Sequence, residues 1–170
     1  MKRNLLVLFT VIGLFCLFIS NTSFAGRNLQ EVDDYELSTF SVSEYGLTIS
    51  YPKNWILKEN DPKSGKIFLC ESPESYLFEI YRAPIKEGET LNQYTDTQGD
   101  WLSENYDNYE EKALYRDKTL GDKIGNLRIY TYTYKGNSYE VSEFYFKAWN
   151  NDFYVVLFDT PEGSLEKNKD

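Results

Sequence analysis

Histidine is absent from the 170 residues, and cysteine (two), methionine (one) and proline (five) are scarce. Without histidine the chain lacks the commonest general base, the Ser-His-Asp and Cys-His nucleophile systems, and any histidine-ligated metal site. Positive charge is also in deficit, with 18 Lys+Arg against 27 Asp+Glu and a formal net charge of −9. Neutralising phosphates needs clustered Lys and Arg, so nucleic acid is excluded as an expected partner. No G-x-S-x-G elbow and no D-x-[DN]-x-[DN]-G calcium loop occurs.

The N-terminus carries the one long apolar run. Lys2 and Arg3 form a basic head, and Leu5 to Ile19 is apolar apart from Thr10 and Gly13. Ser23-Phe24-Ala25 then offers the small-x-small exit of an export signal, so residues 1–25 read as a signal peptide cleaved after Ala25. The run is shorter than the ~20 residues of a membrane-spanning helix, although an uncleaved anchor stays open as the alternative. Phe15 stands where a lipoprotein signal needs a small residue, so Cys16 is not read as a lipidation site. The expected location is secreted, periplasmic or at the cell surface. The first 25 residues hold two bases and no acid, which leaves the remainder at −11. That remainder keeps a single cysteine, Cys70, in the apolar run Ile67-Phe68-Leu69-Cys70, where a small core residue is expected.

Residues 26–38 are polar and acidic, without periodicity, and read as a flexible arm; residues 39–170 read as one domain. Strands are expected around Phe40–Val42, Leu47–Tyr51 and Trp55–Leu57, then over Lys66–Cys70 and Tyr76–Arg82. Thr90 followed by Gln93 is a capping box, and it opens the only long helical stripe: Leu91, Tyr94, Trp101, Leu102 and Tyr106. Gly99 and several Asp and Asn residues lower the intrinsic propensity of this segment, so packing on a sheet must supply its stability. The last third reads as a meander. Leu127–Tyr134 and Tyr139–Trp149 flank Lys135-Gly136-Asn137, and Asn150-Asn151-Asp152 leads into Phe153–Asp159. Both faces of these strands are apolar or aromatic, so both should be covered.

The stretch Tyr45-Gly46-Leu47-Thr48-Ile49-Ser50-Tyr51-Pro52-Lys53-Asn54-Trp55 resembles the opening of PsbP-like domains. Hairpin strands, a helix begun by Thr90-Leu91, the Thr119-Leu120-Gly121 turn and the aromatic final strand Phe153–Phe158 follow in that family's order. The resemblance covers roughly residues 39–160. It implies an α+β fold, an α/β/α sandwich around a mainly antiparallel sheet. It also implies a binding or accessory role without catalytic apparatus or cofactor, and a protein partner at the envelope. Such domains usually continue into an amphipathic closing helix, whereas Pro161–Asp170 ends just as one would begin. An exposed apolar patch is therefore expected on one sheet face.

Carboxylates and aromatics are the remaining candidates for a site. Asp96, Asp100 and Glu104 fall on one side of the helix at intervals of four, where an oxygen-seeking cation would relieve their repulsion. The alternative is a solvated acidic face. No carboxylate pair is singled out by spacing: Glu140 and Glu143 point to opposite faces of one strand and Glu79 lies on another. The chain has 15 Tyr, 11 Phe and 3 Trp. Tyr130, Tyr132 and Tyr134 share one face of their strand, and with Tyr145 or Trp149 on the next they could form a platform on which sugar rings stack. A glycan of the cell wall is thus the second candidate ligand. Ordinary cross-strand packing beneath the helix is the competing reading.

Overall fold

The computed structural model describes residues 8–10, 36–42, 47–58, 65–121, 123–148 and 152–164. Nearly all of the expected signal peptide, most of the acidic arm and Trp149 lie outside these. The chain divides into two compact units, Met1–Trp55 and Ile56–Asp170. In the first, β2 (Leu37–Val42) pairs antiparallel with β3 (Leu47–Pro52), and β1 (Leu8–Thr10) pairs parallel with the other edge of β3.

The second unit is a seven-stranded sheet with every neighbouring pair antiparallel. Its strands are β4 (Ile56–Leu57), β5 (Lys66–Glu71), β6 (Leu77–Ala83), β7 (Asp107–Leu120), β8 (Lys123–Tyr134), β9 (Asn137–Lys147) and β10 (Phe153–Pro161), in the spatial order β4-β5-β6-β10-β9-β8-β7. The β8–β9 hairpin turns through Lys135 and Gly136, both with positive φ. That is the type I′ geometry whose twist matches the flanking strands, and glycine takes its second position without steric cost.

Helix α1 (Leu91–Asn105) starts as the capping box requires. The Gln93 N–H donates to Thr90 Oγ1 at 3.2 Å, and the Thr90 N–H donates to Gln93 Oε1 at 2.9 Å. Its inner side presents Tyr94, Thr95 and Leu102 to the sheet. Tyr94 packs with Ala83, Tyr145, Phe153 and Val155, and Leu102 with Tyr130 and Val141. Trp101, expected in the buried stripe, is instead 49% exposed. It stands one position away from Leu102, 100° around the helix.

The fold is therefore α+β, a mostly antiparallel sheet with a helix packed on it. Two expectations need correction. Among the described residues helix covers one face of the sheet, not two. The exposed apolar patch does not fall on the central strands of the face away from α1, where Phe144, Phe146, Tyr154, Val156 and Phe158 are all buried; the exposed apolar side chains of the sheet, Ile56, Leu57, Tyr115, Ile124 and Tyr134, are on its outer strands.

Strand β7 was not foreseen. It is a long edge strand, and its register shifts between Asp107 and Glu110, Glu111 and Ala113, and Tyr115 and Lys118. Asn108 and Asp117, within two of these shifts, adopt left-handed φ, which Asn and Asp tolerate better than most. Bulges and charge along a free edge discourage pairing with another chain.

Candidate functional site

On the face beneath α1 the alternation of β8 brings Asn126, Arg128, Tyr130 and Tyr132 to the same side. The register sets Tyr145, Glu143, Val141 and Tyr139 of β9 beside them. Two of these eight are ionisable groups in the core: Arg128 is 1% exposed and Glu143 3%. Arg128 donates from Nη2 to the Thr95 carbonyl of α1 at 2.8 Å, from Nε to Glu111 Oε2 at 2.9 Å and from Nη1 to the Tyr145 hydroxyl at 3.3 Å. Glu143 accepts from the Tyr130 hydroxyl at 3.2 Å and from that of Tyr145. Asn126 Nδ2 donates to Asn92 Oδ1 and Thr95 Oγ1 of the helix at 2.9 and 3.0 Å.

Burial pushes the Glu143 carboxyl above its usual range, against the opposing pull of the Tyr145 hydrogen bond and the Arg128 charge. Burial likewise raises Tyr130 and Tyr145, with the Glu143 charge adding to it. All partners of Glu143 are side chains of the sheet itself, and no ring face of Tyr130 or Tyr145 is open to solvent. Chemically this arrangement is a clamp between helix and sheet. A buried charge left without partners would cost several kcal/mol, so the hydrogen bonds must all be present together.

Past the C-terminal end of α1 the same face opens. Trp101, Tyr106, Tyr132 and Tyr139 make a row of rings with successive centroid separations of 5.9, 4.5 and 5.3 Å, edge-on at the tryptophan and stacked thereafter. Tyr106, Tyr132 and Tyr139 are half-buried, and Tyr134 at the hairpin is 55% exposed. Beyond Tyr139 lies an open cleft of about 460 Å³ lined by Asn137, Ser138, Tyr139, Pro161 and Glu162. Under the row the Tyr132 hydroxyl donates to Asp159 Oδ2 at 2.8 Å. Asp159 is 7% exposed, and its buried Oδ1 has no hydrogen-bond partner among the described residues. Burial holds its carboxyl up at about 6, with the Tyr132 hydrogen bond acting in the opposite direction.

Of the five expected platform residues, the structure puts Tyr130 and Tyr145 in the core, Tyr132 half-way and Tyr134 at the surface, while Trp149 lies outside the described residues. Trp101, Tyr106 and Tyr139, which complete the row, were not among them. Helical periodicity assigns Trp101 and Tyr106 to the buried stripe, and the register that seats Tyr139 beside Tyr132 is not legible without the pairing. On the acidic helix side, Asp96 pairs with Arg116 of β7, and Asp100 and Glu104 are exposed. Among the described residues no three Cys, Asp or Glu side chains gather so as to hold a metal ion. Cys70 is buried, and burial pushes its thiol up to about 12.

No protein-family profile matches the sequence, and no curated protein does. Solved structures with a similar fold exist. One is PA94 of Pseudomonas aeruginosa, described as a protein of unknown function and a candidate regulator. It superposes with a TM-score of 0.51 at 11% identity over 77% of this chain and 87% of its own. Another is LpqN of Mycobacterium tuberculosis, described as involved in cell envelope biogenesis. Its TM-score is 0.50 at 10% identity, over 80% of this chain and 78% of its own. At these identities the likeness concerns the fold alone and transfers no residue of any site.

Proposed function

We propose that the protein is an exported, non-enzymatic binding or accessory domain of the cell envelope or extracellular space, of PsbP-like type, that contacts a protein partner. The observation that carries this reading is the ring row Trp101-Tyr106-Tyr132-Tyr139, only part-covered at the end of the helix. Trp and Tyr offer large rigid contact area with little side-chain entropy to lose, and they dominate the energetic centres of protein interfaces. The basic head, apolar run and Ser23-Phe24-Ala25 exit support export. The fold of LpqN supports an envelope setting. The described residues include no helix long and apolar enough to cross a membrane. On this reading β1 departs with the leader and the β2–β3 hairpin stays.

The test is a photoreactive residue in place of Tyr134, at the exposed end of the tyrosine strand, irradiated in intact cells. A discrete adduct with one envelope protein is expected, and its absence there and at Trp101 would remove the partner. Stacked, half-exposed Tyr132 and Tyr139 also suit a sugar ring, which makes a cell-wall polysaccharide the second reading. Saturable co-sedimentation with wall sacculi, competed by soluble glycan, would favour that instead.

A further inference from the structure

The cleft beyond Tyr139 has walls of contrasting chemistry. Tyr139 supplies a ring, Pro161 an apolar surface, and Glu162 an exposed carboxylate with no ion pair among the described residues. The backbone bond from Glu162 N–H to the Ser138 carbonyl, 2.9 Å, ties the two sides together and fixes the width. Asp159 precedes Pro161 by two residues on the same face of β10, so a second carboxylate, buried, lies just inboard of the cleft. The aromatic rings there already accept cations: Lys135 Nζ sits 5.0 Å from the centre of the Tyr134 ring on the adjoining hairpin.

From these walls we infer that the cleft receives a basic side chain, an arginine or lysine of the protein partner, packed on the Tyr139 ring and charge-paired with Glu162. This rests on the protein-binding reading and adds to it the chemistry of the contact. A cation is favoured over a neutral group for two reasons. Ring faces and carboxylates are both negative, and the Asp159 charge is screened little by water because it is buried. An arginine adds planar stacking on Tyr139 to its charge. Lys135 is the opposing charge at this end, and it is held over Tyr134.

The experiment titrates the full chain with blocked arginine (N-acetyl-arginine amide), following the tyrosine ring resonances by NMR. Its neutral isostere, blocked citrulline, is the control. Saturable shifts at Tyr139 are expected with arginine and not with citrulline. Glu162→Gln should weaken binding by about threefold or more, while Glu104→Gln, which removes an exposed helix charge outside the cleft, should leave it unchanged. No shift, equal shifts with citrulline, or equal weakening by both variants would overturn the inference. A partner captured from position 134 with a silent arginine titration sinks this inference alone and leaves the binding reading standing. Arginine binding with no captured partner sinks the binding reading and leaves a cation site.

Discussion

Asp159→Asn should make the protein more stable at neutral pH. In the folded chain this carboxyl loses its proton near 6, against 3.8 for a free aspartate, because burial opposes its charge more than the Tyr132 hydroxyl supports it. The sign follows. Below about pH 4 the group is protonated in both states and costs nothing. Between about 4 and 6 the unfolded chain has lost the proton and the folded chain has not, so stability falls as pH rises. Above about 6 the loss is complete and constant, at about 3 kcal/mol from the linkage relation. Asparagine removes the charge and keeps an oxygen for the Tyr132 hydroxyl. Urea denaturation at pH 7.5 should then show a gain of about 1–3 kcal/mol, with unchanged m-value, and at pH 4 a gain near zero. Burial raises Glu143 too, so a slope of the same sign is expected to persist in the variant, only shallower. A destabilised variant at pH 7.5, or an equal gain at both pH values, would refute the reasoning.

Two further outcomes follow from the core. Gly99→Ala gains about 1 kcal/mol of helix propensity, yet the new methyl would stand 2.4 Å from Arg128 Nη2, which is hydrogen-bonded and sealed. A net loss of about 2 kcal/mol is expected by thermal melting, and a stabilised variant would show that Arg128 can move aside. Cys70 should resist a thiol reagent at pH 8 in the native protein and react promptly in urea; fast native labelling would place it nearer the surface than it is here.

What could be read in the sequence was what local chemistry determines. Thr90 and Gln93 fixed the helix start to the residue, and Lys135-Gly136 fixed the hairpin, because each depends on neighbours along the chain. Strand β7 escaped because Asp107–Leu120 carries its charges in runs, Glu110-Glu111-Lys112 and Arg116-Asp117-Lys118, and its register with β8 shifts three times. An edge strand is free to do both, having a single partner. The tyrosines were legible as a set, but not which of them face solvent. Tyr130 and Tyr132 are equivalent by alternation, yet the helix ends over one and short of the other, so position along the strand, not face, decides which meets solvent.

The polar core had a signal that alternation alone would have exposed. Asn126 and Arg128 continue the tyrosine face, so the side of β8 marked as buried by its aromatics also carries an amide and a guanidinium, with Glu143 opposite Arg128 on β9. Charges on such a face require partners that no single strand supplies, and Gly99 in the middle of the helix marks where the backbone makes room for one. Each side-chain nitrogen of Arg128 and each carboxylate oxygen of Glu143 has a hydrogen-bond partner, from the Thr95 carbonyl to the Tyr130 hydroxyl. Asp159 stands on the neighbouring strand β10, and one of its oxygens has no hydrogen-bond partner among the described residues. The difference is one of position: Arg128 and Glu143 lie beneath the helix, where Thr95, Glu111, Tyr130 and Tyr145 reach them, whereas Asp159 lies past the helix end, where Tyr132 supplies its hydrogen bond.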